Sequence, residues 1–174
     1  MTPTTAPRHR WVTTPLGDYV LAAEGEALTG VWRRDQSHPP RPERLGEAAG
    51  GTDPLLDTAE RQLLAYLAGE REDFDLPLAP HGTDFQQEVW RLLRAIPRGE
   101  TTTYGGIAQE LGRPRASQAV GAAVGRNPLS IVVPCHRVLA ADGAMTGYAG
   151  GIVSAAVDGL KTAKAIVAKY AKVG

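Results

Sequence analysis

One stretch of this sequence could do covalent chemistry: Ile131-Val132-Val133-Pro134-Cys135-His136-Arg137-Val138, which holds the only cysteine among 174 residues. The β-branched run Ile131–Val133 predicts a short buried strand. Pro134 has no N–H for a sheet ladder, so the strand should end there. Cys135 then follows a buried strand end, between a rigid proline and an imidazole. A thiol becomes a nucleophile when a nearby base or positive charge raises its thiolate fraction. His136 is the adjacent residue, and successive side chains on an extended segment point to opposite sides. A bridging water therefore links the two better than a direct contact. By residue type alone a lone cysteine is more often buried and inert, so its neighbours must decide.

The elements that would position it lie in the second half. Thr83 and Gln86 fit a capping box, and Phe85, Val89, Leu92, Leu93 and Ile96 make one apolar helical face that Pro97-Arg98-Gly99 ends. A shorter helix should start after Thr103 and stop at Gly112. Pro114 fixes a turn, and a second short helix should run from about Arg115 to Gly125. Two short helices across a tight turn make a helix-turn-helix. The second is almost without bulk: Ala116, Ala119, Gly121, Ala122, Ala123 and Gly125. Small residues let a backbone approach another helix, or a larger partner, closely. With Arg113, Arg115 and Arg126 around it, a phosphate backbone is a candidate partner.

Charge agrees. Residues 1–82 carry 8 Lys and Arg against 13 Asp and Glu, a net of −5, and residues 83–174 carry 11 against 6, a net of +5. Such asymmetry suggests that one half meets a polyanion.

The first half predicts a small domain. Arg10–Thr14, Tyr19–Ala23 and Leu28–Trp32 are short apolar runs separated by turn residues, an antiparallel meander. Leu56, Leu63, Leu64 and Leu67 mark a helix over Leu55–Ala68, stopped at Gly69. The expected organisation is an α+β N-terminal domain over 1–82, with 1–8 disordered, 36–54 a surface loop and 70–82 a connector. A mostly helical C-terminal domain over 83–174 follows. His9, His38 and His81 read as surface or loop residues. No apolar run reaches the ~20 residues of a membrane span, and no signal-peptide pattern opens the chain. A single cysteine fits a reducing cytoplasm and removes any cysteine-based zinc site.

Taken together, the motifs resemble the O6-alkylguanine-DNA alkyltransferases, or methylated-DNA–protein-cysteine methyltransferases. The matching residues run through Gly82-Thr83-Asp84-Phe85-Gln86, Ile96-Pro97-Arg98-Gly99-Glu100-Thr101, Tyr104-Gly105-Gly106-Ile107-Ala108, Ala119-Val120-Gly121, Gly125-Arg126-Asn127-Pro128, Pro134-Cys135-His136-Arg137-Val138 and Gly147-Tyr148-Ala149-Gly150-Gly151. The resemblance implies irreversible, single-turnover transfer of an alkyl group from O6-alkylguanine, and from O4-alkylthymine, in double-stranded DNA to Cys135. It implies minor-groove binding, base flipping, a cytoplasmic monomer and no cofactor. His136 would deprotonate the thiol and Tyr104 would hydrogen-bond or protonate the flipped purine. Asn127 would brace the turn before the cysteine. Val138, Tyr148 and Ala149 would hold the guanine. Gln118 stands where the family places an arginine finger, and Arg113, Arg115, Ala119, Gly121 and Arg126 would meet DNA. Arg137 is either structural or phosphate-facing.

After Gly151 the chain leaves the pattern. The family has a Glu there that hydrogen-bonds the histidine. Read in register from Ile152 that position is Thr162; with an eight-residue insertion it is Tyr170. The remaining acid is Asp158, and Cys135 should therefore have a higher thiol pKa than in relatives with the full relay. Two other readings stay open: a non-catalytic alkylguanine-recognition protein, or a cysteine hydrolase or small-molecule alkyl acceptor. Cys135 argues against the first, and the want of a separate base and orienting acid against the second.

Overall fold

The computed structural model describes residues 6–36 and 39–139. These separate into two compact units. One holds the described residues up to His81 together with Pro128–Val132, and the other holds Gly82–Asn127 and the described residues from Val133 on. The chain passes from the first unit to the second between His81 and Gly82, and Pro128–Val132 is a return to the first.

In the first unit β1 (Arg8–Thr14), β2 (Gly17–Glu24) and β3 (Ala27–Arg33) form the antiparallel meander. Gly17 and Gly25, at φ 112° and 58°, turn its two hairpins in a region that side chains rarely enter. Two expectations are corrected. Arg8 is not part of a disordered lead but the first residue of β1, paired with Ala23. The Pro- and Gly-rich stretch 36–54 is not all loop: it carries α1 (Pro42–Leu45) and β4 (Glu47–Ala48), and β4 pairs parallel with β1. Tertiary bonds override the weak local signal here. His9 Nδ1 donates to the Leu45 carbonyl at 3.2 Å, and Leu45 packs on Val20, Ala22 and Trp32. His9 is thus a half-buried strand residue. His81 is exposed and lies 2.6 Å from a Glu24 carboxylate oxygen, and His38 lies outside the described residues.

Helix α2 (Pro54–Leu67) covers the sheet with Leu56, Ala59, Leu63 and Tyr66. Asp53 caps it by accepting from the Leu56 N–H at 3.1 Å, and Arg8 pairs with the same carboxylate. The Arg8 hydrogen bond holds the Asp53 carboxyl below its ordinary range, against the opposing effect of burial. Gln62 then grips the connector, donating to the Asp75 carbonyl at 3.1 Å and accepting from the Asp75 N–H at 2.9 Å. Leu78 bridges Leu28 and Leu129 bridges Val31, so both segments pair with the β3 edge that would otherwise be open.

The second unit opens with α3 (Asp84–Arg94), whose Thr83–Gln86 capping box is fully formed. Trp90 is buried, and its Nε1–H donates to the Ala123 carbonyl at 2.8 Å. The indole lies so close to Gly82 that a Cβ there would sit 2.5 Å from the ring. After β5 (Thr102–Thr103), α4 (Tyr104–Glu110) is capped by the Thr103 hydroxyl, which accepts from Gly106 N–H at 3.0 Å. Gly112 turns the chain at φ 70°. Helix α5 (Ser117–Gly125) follows, burying Val120, Ala123, Val124 and Gly125. β6 (Val138–Leu139) pairs parallel with β5. Among the described residues no helix is long and apolar enough to cross a membrane.

Candidate active site

The segment before Cys135 is not the strand that its β-branched residues predict. It is a run of tight turns. The Val132 N–H bonds the Ser130 carbonyl at 2.8 Å around Ile131, which has φ 70°. A β-branched residue at positive φ is strained, by roughly 1–3 kcal/mol. The Cys135 N–H then bonds the Val133 carbonyl at 2.8 Å around Pro134, at φ −80° and ψ 71°. That is an inverse γ-turn, for which the proline ring presets φ. Alternation favours a strand only while the chain stays extended, and Pro134 together with the Leu129 bridge prevents that.

Cys135 begins a single 3-10 turn, Cys135–Arg137, which leads straight into β6. Its free thiol is 4 % exposed and His136 is 1 % exposed. Burial pushes the Cys135 pKa up to about 11, because a thiolate loses its hydration there. The Asn127 side chain hydrogen-bonds the sulfur and pulls the other way, as do the backbone N–H groups of Cys135 and His136. Asn127 is itself buried, and its Nδ2 donates to the Val133 carbonyl at 2.8 Å. One amide two residues past α5 therefore ties that helix to the Cys135 turn.

Tyr104 is the first residue of α4 and half-buried. Its ring lies against α5 at Gly121, where an added Cβ would meet Cδ1 at an ordinary 3.9 Å. The β5–β6 ladder, Thr102 opposite Val138 and Thr103 opposite Leu139, fixes Tyr104 relative to the cysteine turn. The structure thus gathers Cys135, His136, Asn127, Val138 and Tyr104 within one unit. Gln118, Ala119 and Ala122 form the exposed face of α5, flanked by exposed Arg113, Arg115 and Arg126. The Arg113 guanidinium also sits 5.6 Å from the Phe85 ring centre. Tyr148, Ala149 and the tail lie outside the described residues. Among the described residues no group of three or more His, Cys, Asp or Glu could hold a metal ion.

One feature escapes sequence reasoning, and a second is left open by it. One is the contact of Asn127 with the sulfur itself, which needs a tertiary fold to exist. The other is Arg137, 7 % exposed, whose Nη1 donates to the Ile96 carbonyl at 2.6 Å. The sequence leaves Arg137 either structural or phosphate-facing, and its burial favours the structural reading.

Comparison with known proteins bears on this arrangement. Residues 84–161 match the family model described as 6-O-methylguanine DNA methyltransferase, DNA binding domain. The methylated-DNA–protein-cysteine methyltransferase of Mycobacterium tuberculosis strain H37Rv is 45 % identical over 144 residues, covering 83 % of this chain and 85 % of that protein. The crystal structure of M. tuberculosis O6-methylguanine methyltransferase superposes with a TM-score of 0.77 at 42 % identity, covering 91 % of this chain and 93 % of that one. The M. tuberculosis protein in complex with DNA gives 0.76 at 41 % identity, covering 90 % and 94 %.

Proposed function

The chain belongs to the methylated-DNA–protein-cysteine methyltransferases, and from that premise we infer that Cys135 accepts the alkyl group in direct reversal of DNA damage. The observation that carries the assignment is the position of the sole thiol: buried, hydrogen-bonded by Asn127, and joined through it to a basic helix-turn-helix. The substrate is duplex DNA bearing O6-alkylguanine or O4-alkylthymine. A base substituent inside the stack cannot be reached, so the nucleotide is flipped into the pocket.

In the reaction the Cys135 proton passes to His136 through water. The thiolate attacks the alkyl carbon, the S–C bond forms and the C–O6 bond breaks. The electron pair goes to guanine, whose ring takes a hydrogen bond or proton from Tyr104, which makes it a better leaving group. The backbone carbonyls of Cys135 and Val138 accept from the exocyclic amine, and Tyr148 and Ala149 wall the base. The thioether product is not hydrolysed, so each molecule acts once, without a cofactor and as a monomer. A lone reduced thiol fits the cytoplasm.

The exposed face of α5 offers Ala119 and Ala122 rather than long base-reading side chains, which suits the shallow, degenerate minor groove. Gln118 fills the gap left by the flipped base, and Arg113, Arg115 and Arg126 contact phosphate. Incubation with a duplex containing O6-methylguanine, followed by intact mass, tests the assignment. A single CH2 increment on the Cys135 peptide is expected; binding without mass change would favour a recognition protein instead.

Three phosphate-contacting arginines give a slope of log affinity against log salt near −3, a loss of roughly fifty-fold between 50 and 200 mM. Gln118→Arg should speed repair of duplex more than of single strands, since a residue that fills the gap matters only where there is a stack to fill. Affinity flat across this range argues against DNA as the partner, and an equal gain on both substrates removes Gln118 from the finger role.

A further inference from the structure

We propose that Arg137 is a positioning residue for alkyl transfer, its guanidinium fixing the cysteine turn against the loop that delivers Tyr104. This rests on the transfer reading above. Arginine is seldom buried unless its charge is satisfied, yet Arg137 is 7 % exposed and reaches back to the Ile96 carbonyl at 2.6 Å. Ile96 stands two residues beyond the end of α3, where carbonyls have lost their helical partners. A cation is also favourable at that end of the helix dipole.

The position of this bond gives it a consequence for chemistry. From Ile96 the chain makes a turn, closed by the Glu100 N–H on the Pro97 carbonyl at 3.1 Å, and enters β5 and then Tyr104. The ladder that joins β5 to β6 is two pairs long. Arg137 adds a tie at the end of β6 from which the 3-10 turn, and Cys135, project. Asn127 secures the other side of that turn through Val133. Removing Arg137 takes away the side-chain tie beside that short ladder and leaves the cysteine turn less firmly set against the loop that delivers Tyr104. A phosphate role needs an exposed guanidinium, and this one is buried. Lysine, a compact and strongly hydrated point charge, is a poorer fit than a guanidinium for a bond made inside the protein.

The test compares wild type, Arg137→Met and Arg137→Lys on two substrates: an O6-methylguanine duplex at saturating concentration, and free O6-methylguanine nucleoside. Affinity for unmodified duplex is measured alongside. Misplacement of reacting groups by about 1 Å can cost on the order of a hundredfold. Arg137→Met should lose about that much transfer rate, equally on both substrates, with duplex affinity within roughly twofold and part of the rate restored in Arg137→Lys. Should Arg137→Met fail to fold, the lysine variant, which keeps a buried cationic donor, carries the same comparison. A loss of duplex affinity with nucleoside transfer spared would make Arg137 a phosphate contact and overturn the proposal. Unchanged transfer on both substrates would overturn it too. Wild type without transfer would sink the activity assignment itself, a distinct failure.

Discussion

Cys135→Ser abolishes alkyl transfer and leaves duplex binding within about twofold of wild type. The expected loss is total because the chain holds one thiol, and a serine hydroxyl, far less acidic than a thiol, stays protonated at neutral pH and is a poor nucleophile toward an alkyl carbon. The retained binding follows from the separation of roles. The exposed face of α5 and the arginines beside it are solvent-facing, whereas the thiol is buried. Serine is nearly isosteric, and the Asn127 amide that bonds the sulfur can bond a hydroxyl, so the turn should survive. Intact mass after incubation with the alkylated duplex, and a gel-shift titration with the same duplex, check the two halves. Transfer by the serine variant, or more than one alkyl group repaired per wild-type molecule, would overturn Cys135 as the single-use acceptor.

How much of this was legible in the sequence divides along a physical line. The Thr83–Gln86 capping box and the stop at Gly112 are local signals, and each is found at its predicted place. They act over three or four residues, so the sequence around them suffices. What could not be read depends on partners far along the chain. Arg8 sits in β1 rather than a loose lead because Ala23 and Asp53 hold it. His9 is drawn inward by the Leu45 carbonyl. The apolar run Ile131–Val133 carries a strand's composition, yet it turns at Ile131 because Leu129 pairs with Val31 upstream and Pro134 locks the backbone downstream. For the site, residue types can be read from a sequence while the contacts between them cannot. Asn127 was expected to brace the turn, but that its amide reaches the sulfur follows only from the fold.

Thiol reactivity should follow from that last contact, and pH makes it measurable. With the Cys135 pKa near 11 rather than 9.0, on the order of one molecule in ten thousand carries a thiolate at pH 7, against about one in a hundred for an ordinary thiol. Alkylation of the free protein by iodoacetamide should therefore rise about tenfold per pH unit from pH 6 to about 10, with no plateau near neutrality. The sign is that of a neutral acid made weaker by burial: the thiolate form is gained only as pH climbs. Asn127→Ala removes the side-chain hydrogen bond to the charged form, worth about 1.5–3 kcal/mol, and pushes the thiol pKa further up. A more basic thiolate is also a better nucleophile, which returns about half of the lost rate on a logarithmic scale. The net expectation is a curve of the same slope lowered roughly three- to tenfold at every pH below 10. The same series on Asp158→Asn asks whether the remaining acid of the tail substitutes for the glutamate that Thr162 and Tyr170 do not supply; a drop there would assign it that part. A rate that levels off near pH 6 in wild type and in Asn127→Ala alike would mean a thiolate already formed and held by another group. In that case neither burial nor Asn127 sets the reactivity of Cys135.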